Sequence, residues 1–80
     1  MEEFEDISIV IRRSKRSKTI KLELNNRELT SLPQSLFDLT HLIKLDLSDN
    51  SLTSISKRIG ELKSLEIVNF SNNQLQNLPK

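Results

Sequence analysis

The sequence predicts an α/β fold, a short solenoid whose repeated units stack to form a parallel sheet behind an amino-terminal cap. A leucine and asparagine pattern spanning Leu42 to Leu52 recurs 23 residues later and, less completely, 23 residues earlier. Apolar residues keep the same period in the stretch that follows each copy. All 14 leucines lie between Leu22 and Leu78, and residues 1–21 contain none. A unit this short cannot bury its leucines alone, so the copies must stack.

The repeats define the expected boundaries. The central copy reads L-x-x-L-x-L-x-x-N-x-L and consists of Leu42, Leu45, Leu47, Asn50 and Leu52. The later copy has Leu65, Val68, Phe70, Asn73 and Leu75, and the earlier copy has Thr19, Leu22, Leu24, Arg27 and Leu29. We therefore expect a cap at 1–18 and repeats at 19–41, 42–64 and 65–80, the last of them incomplete.

A second motif, L-x-x-L-P, follows the asparagine position at Leu29 to Pro33 and at Leu75 to Pro79. With both motifs, the stretch from about Thr19 to Lys80 resembles the leucine-rich repeat family, in its 23-residue intracellular, Ras-suppressor-like type. The resemblance implies a right-handed horseshoe segment whose parallel sheet lines a concave face. It also implies that this face binds a protein ligand.

The cap segment can be interpreted as a helix or as a strand. Helical spacing places Phe4, Ile7, Val10 or Ile11, and Ser14 on one face, acidic residues 2–6 suit a helix start, and the basic residues 12–16 suit its end. The β-branched residues between Ile7 and Ile11 favour a strand instead. We expect the helix, and in either form the apolar face should cover the first repeat.

The bulk composition bounds the class of protein. There is no cysteine, the net charge is +1, the first residues are acidic rather than basic, and no apolar run could span a membrane. We therefore expect a cytoplasmic chain, with nucleic-acid and membrane partners disfavoured. The run from Arg12 to Lys18 holds five positive charges without an aromatic residue among them. It favours a solvated helix end, and the alternative is a patch for anionic lipid or nucleic acid, switched by phosphorylation of Ser14 or Ser17.

Strands are expected near Lys21 to Asn25, Lys44 to Ser48 and Ile67 to Ser71, with alternate residues in the core. The intervening residues form the candidate protein-binding face: Lys21, Glu23, Asn25, Glu28, Lys44, Asp46, Ser48, Asp49, Ile67, Asn69, Ser71 and Asn72. Four of them form an expected acidic strip: Glu23, Glu28, Asp46 and Asp49. This strip favours a partner with basic groups.

Other notable residues are assigned structural roles. Asn50 and Asn73 stand where the strands end, and their amides can satisfy neighbouring backbones as a ladder. Arg27 replaces the asparagine in the first copy, as expected of an end repeat that has no preceding turn to bond. Ser56 replaces proline in the middle repeat, which predicts a more helical return, and Gly60 is expected at a tight packing or turn position.

No catalytic, cofactor or metal residue is predicted. The single glycine excludes a phosphate-binding loop, and His41 has no cysteine or second histidine to join it. The predicted function is a non-enzymatic protein-interaction module in a longer scaffold or signalling protein, without a small-molecule substrate. The alternative is the recognition domain of a multidomain kinase, GTPase or bacterial effector ubiquitin ligase. Because the third repeat is incomplete, we expect further repeats or self-association to cover it.

Overall fold

Three short parallel strands form one sheet in a computed structural model that describes residues 6–76. The strands are β1 (Lys21–Glu23), β2 (Lys44–Asp46) and β3 (Ile67–Asn69), in the order β1-β2-β3. Each residue pairs with the residue 23 positions further on, as in Leu22 with Leu45 and Leu45 with Val68. The predicted α/β solenoid is confirmed, and the register sets equivalent repeat positions side by side.

Each strand starts at the predicted residue and ends two residues before its predicted end. Backbone pairing continues past these ends, because the Leu24 N–H donates to the Asp46 carbonyl at 2.8 Å and the Leu47 N–H to the Asn69 carbonyl at 2.8 Å. The chain then turns through a left-handed residue, φ 55° at Asp49. The strand ends before this turn, because the Ser48 N–H donates to the Asp46 carboxylate at 2.9 Å rather than across the sheet.

The return segments run through two 3₁₀ helices of equal length, Gln34–Asp38 and Lys57–Glu61. The prediction that Ser56 makes the middle return more helical is therefore wrong. Pro33 and Ser56 both stand at the N-cap with extended backbone, ψ 146° and 144°. Proline at this position loses no helical hydrogen bond, so it starts the 3₁₀ turn as well as serine does.

Gly60 does not occupy the tight position expected of it. It lies in the second 3₁₀ helix without a positive φ, and a Cβ built on it would meet nothing within 4 Å. Neither a turn nor a close approach therefore requires glycine at this position.

Arg58 ties the two 3₁₀ helices together on the convex side. Its guanidinium donates to the Gln34 carbonyl at 3.3 Å and to carboxylates of Asp38 and Glu61 at 3.4 and 3.1 Å. It also lies 5.6 Å from the centre of the Phe37 ring. The hydrogen bond that Arg58 donates to Glu61 and the charges of both carboxylates raise the pKa of Arg58.

The core is concentrated in the first two repeats. Leu24, Leu45 and Leu47 are fully buried. The predicted core residues of the third repeat, Val68 and Phe70, are only half-buried, because no described residue packs beyond β3. Among residues 6–76, the buried apolar residues are Ile11, Leu22, Leu24, Leu36, Phe37, Leu39, Leu42, Leu45, Leu47, Leu52, Ile55 and Leu62.

The cap segment is helical, as the sequence favoured: α1 spans Ile7–Ser17. The Asp6 carboxylate caps its start by accepting the Ser8 N–H at 2.8 Å, and Lys18 ends it in a left-handed conformation. Ile11 and Ser14 are buried, and α1 packs against the first 3₁₀ helix. These contacts outweigh the strand preference of the β-branched residues. Phe4, Glu2, Glu3 and Glu5 lie outside the described residues, as do Leu78 and Pro79.

Candidate protein-binding face

The concave sheet presents its polar side chains in rows, because the register aligns equivalent positions of adjacent strands. One row consists of Lys21, Lys44 and Ile67, and the next of Glu23, Asp46 and Asn69. All are exposed except Asp46, which is half-buried. Ile67 is 53% exposed and stands beside Lys44, so the first row changes from charged to apolar at the third repeat.

The turns after the strands carry a further row. Asn26, Asp49 and Asn72 are all left-handed, with φ of 55°, 55° and 56°. This conformation suits Asn and Asp, whose short polar side chains tolerate it. The Asn72 amide donates to the Asp49 carboxylate at 2.7 Å, so neighbouring turns are joined through the proposed binding residues themselves.

Ser48 is a correction to the predicted face. It is only 6% exposed, and its hydroxyl donates to the Asp46 carboxylate at 2.7 Å. A partner cannot reach this side chain, which supports Asp46 from below. Its equivalents Asn25 and Ser71 are exposed, so the burial is particular to the middle repeat, which has a neighbour on both sides.

The asparagine ladder is present as predicted. The Asn50 Oδ1 accepts the N–H groups of Arg27 and Leu29 at 2.9 and 3.0 Å. Its Nδ2 lies 3.0 Å from the carbonyl oxygens of Leu24 and Leu47. In the next repeat, the Asn73 Oδ1 accepts the Leu52 N–H at 3.0 Å, and its Nδ2 donates to Leu47 and Phe70 carbonyls. Each amide thereby fastens its own turn to the preceding repeat.

The first turn, which departs from the motif, shares the asparagine hydrogen bond of the later turns and differs from them in its backbone. Arg27 needs no ladder side chain of its own, because its backbone N–H is held by Asn50. Glu28, the next residue, is left-handed with φ 59°, whereas its equivalents Ser51 and Gln74 are not. The acidic side chain of Glu28 therefore leaves the first turn in a direction that the repeat pattern could not predict.

Asp46 is held as a carboxylate by its own strand end. Its Oδ1 accepts both the hydroxyl and the backbone N–H of Ser48, at 2.7 and 2.9 Å. These hydrogen bonds lower the pKa of Asp46 from its ordinary value of 3.8, against an opposing effect of burial, and the charges of Lys44 and Lys21 lower it further by smaller amounts. Asn69 and Ser71 repeat the arrangement at 2.7 and 3.0 Å with a neutral amide. The shared Asp/Asn-x-Ser spacing was visible in the sequence and signals this motif.

The acidic strip is interrupted by a lysine. Lys21 Nζ lies 3.3 Å from the Glu23 carboxylate, with both side chains more than half exposed. An exposed pair of this kind contributes little to stability and exchanges readily for a competing cation. The strip therefore presents the carboxylates of Glu23, Glu28, Asp46 and Asp49. Of these, Glu23 is already paired with Lys21.

Residues 6–76 contain neither a candidate metal-binding cluster nor a candidate membrane-spanning helix. No cluster of three or more histidine, aspartate or glutamate residues could hold a metal ion in this part of the chain. The His41 Nε2 is buried without a hydrogen-bond partner there. No helix among the same residues is long and apolar enough to cross a bilayer.

Comparisons with known proteins identify the family to which these repeats belong. No curated protein matches the chain. A solved structure of a leucine-rich repeat protein from Leptospira interrogans is similar, with a TM-score of 0.54 and 23% identity over 99% of this chain. The chain spans 26% of that protein's length, and the likeness at this identity shows the fold alone. The leucine rich repeat family model matches residues 18–75. The chain therefore belongs to the leucine-rich repeat family, whose repeats are generally protein-interaction modules.

Proposed function

We propose that the concave face binds a protein segment rich in lysine or arginine, and that the first two repeats supply the charges that select it. The supporting observation is the alignment of Glu23 beside Asp46 in paired strands. Side chains on adjacent parallel strands stand about 5 Å apart, so the two carboxylates can engage one extended basic segment together.

The supporting structure beneath these side chains reduces the cost of binding. The Asp46 carboxylate is already oriented by Ser48, and the Asp49 carboxylate by Asn72. Side chains held in place before binding lose less conformational freedom when a partner arrives. A cationic group would displace Lys21 from Glu23 without exposing any buried charge. The specificity then resides in the spacing of the carboxylates rather than in a deep pocket.

The proposal extends from the concave face to the role of the whole module. The module would act without catalysis, as the recognition part of an intracellular scaffold or signalling protein. The absence of cysteine supports a reducing compartment. The apolar Ile67 at the third repeat would accept a hydrophobic residue at one end of the basic segment.

A peptide selection tests the proposal directly. The full chain is used to enrich binders from a random peptide display library, and affinities are then measured for two charge-neutralised variants. One variant carries Glu23→Gln and Asp46→Asn on the concave face. The other carries Asp38→Asn and Glu66→Gln, which remove the same charge from exposed positions outside the predicted face.

We expect enriched peptides to be rich in lysine and arginine. We expect the concave variant to bind them about 5- to 25-fold more weakly, and the control variant to bind them normally, because each close charge pair contributes about 1 kcal/mol at a surface. Equal binding by the concave variant and the unmodified chain would refute the proposal.

A further inference from the structure

The outward face of α1 combines one exposed apolar side chain with three arginines. Arg12, Arg13 and Arg16 follow Ile9 at intervals of three, four and seven residues, so all four side chains share one face of the helix. The opposite face, with Ile11 and Ser14, is buried against the first repeat. The cap helix therefore has two distinct sides. One packs on the first repeat, and the other faces solvent and is cationic and partly apolar.

These residues surround a shallow groove. Ile9, Arg12, Arg13, Arg16 and Ser17 line an open depression of about 420 Å³. Ile9 is 45% exposed at this site. The sequence alone placed the basic run at a solvated helix end, whereas the structure places Arg12 and Arg13 in the middle of the helix.

Two of the three arginines on this face carry charge that no described residue neutralises. Arg12 and Arg16 are exposed and form no ion pair with any residue between 6 and 76. The single acidic side chain at the described start of the helix, Asp6, is occupied in capping Ser8. Lys15 and Lys18 add exposed positive charge nearby.

The combination favours phosphate groups that border an apolar phase. Arginine binds phosphate oxygens in a bidentate manner, and basic residues near an anionic bilayer are attracted to its surface. Ile9 distinguishes this surface from a nucleic acid, because it has no ring on which a base could stack. An isoleucine among arginines can instead enter the boundary between headgroups and acyl chains.

We propose that the outer face of α1 docks on anionic phospholipid bilayers, with Arg12 and Arg16 at the lipid phosphates and Ile9 inserted between headgroups. The helix would lie in the plane of the interface while its inner face stays on the first repeat. The inference is independent of the concave face, which remains available to a protein partner.

Vesicle sedimentation of the full chain tests the proposal. The vesicles contain about 30 mol% phosphatidylserine in phosphatidylcholine, and pure phosphatidylcholine vesicles serve as the uncharged comparison. Neutralising Arg12→Gln and Arg16→Gln together should weaken binding about 25-fold, at about fivefold for each charge. The matched control, Lys57→Gln with Lys63→Gln, removes the same charge from exposed positions of the second repeat and should bind normally.

Ile9→Asn distinguishes a bilayer from other polyanions. It should weaken vesicle binding about three- to tenfold and leave binding to polyglutamate or duplex DNA unchanged. Circular dichroism confirms that each variant retains its helix. The proposal is overturned if the anionic vesicles do not sediment the chain, if the control pair loses as much binding as the arginine pair, or if Ile9→Asn binds vesicles normally. Tighter binding to polyglutamate or DNA than to vesicles would assign the face to an acidic protein or a nucleic acid instead.

Discussion

Asn50 is the residue with the greatest consequence for the turn structure. Its amide serves two N–H groups and lies against carbonyl oxygens of two repeats, and it is only 8% exposed. Replacing it with alanine would leave several buried backbone groups without partners, at about 1–3 kcal/mol each where water cannot enter.

We therefore predict that Asn50→Ala lowers the free energy of unfolding by about 3 kcal/mol, as measured by urea denaturation. Asn73→Ala should cost less, because Asn73 is only half-buried. Asn25→Ala, at an exposed position, should change stability by less than about 0.5 kcal/mol. Equal losses for Asn50 and Asn25 would show that the ladder contributes nothing specific.

Asp46 gives the sheet a dependence on pH. Its pKa is lower in the folded chain than its ordinary value of 3.8, mainly through the Ser48 hydrogen bonds. The carboxylate is therefore favoured by folding, so its stabilising contribution is fully present above about pH 4 and is lost as the pH falls through the folded-state pKa.

Asp46→Asn should remove this part of the pH dependence while keeping the acceptor oxygen, as Asn69 does in the next repeat. The converse change, Asn69→Asp, should add a similar dependence. Stability is measured by urea denaturation between about pH 7 and pH 3. The assignment would be contradicted if the free energy of unfolding changed with pH in the same way in the unmodified chain, Asp46→Asn and Asn69→Asp.

At the scale of the element, the repeat spacing predicted the start of every strand, and the helical spacing of apolar residues before Thr19 predicted the cap helix. The repeat pattern could not predict where the strands end, because the N–H groups of Ser48 and Ser71 donate to the side chains two residues earlier, Asp46 and Asn69. The same limit explains Ser48. Period-two alternation would have kept it on the concave surface, but the turn draws its hydroxyl onto Asp46. The rows of the candidate face were predictable, and the burial within them was not.

Gly60 offers a test of the second 3₁₀ helix. Alanine fits its backbone and meets no atom within 4 Å, so the folded state should accept it without strain. The unfolded chain loses freedom when glycine is replaced. We predict that Gly60→Ala stabilises the protein by about 0.4–1 kcal/mol in thermal or urea unfolding. Destabilisation would mean that this return segment does need the flexibility of glycine.

The central strand should carry more stability than the last one. Leu45 is completely buried in β2, whereas its register partner Val68 in β3 is half-buried. Leu45→Ala should cost about 2–5 kcal/mol, a large part of the total for a chain of this size. Val68→Ala should cost about 1 kcal/mol or less, since it removes less buried surface. Urea denaturation of both variants measures the ratio, and similar losses would contradict the gradient in packing.

The molecule as a whole is best packed in its first two repeats and least covered at β3. Val68, Phe70 and Leu75 are half-buried, and Ile67 is 53% exposed on a strand with a neighbour on one side only. An uncovered strand of this kind can pair with another chain, and lysine on an edge strand opposes such pairing.

We predict that the 80-residue polypeptide self-associates with rising concentration, as measured by light scattering. Ile67→Lys, which copies Lys21 and Lys44 of the same row, should shift it towards the monomer. Ile20→Lys, an equally exposed change before β1, should not. A monomer at every concentration before any substitution would show that the half-buried end of the third repeat needs no cover.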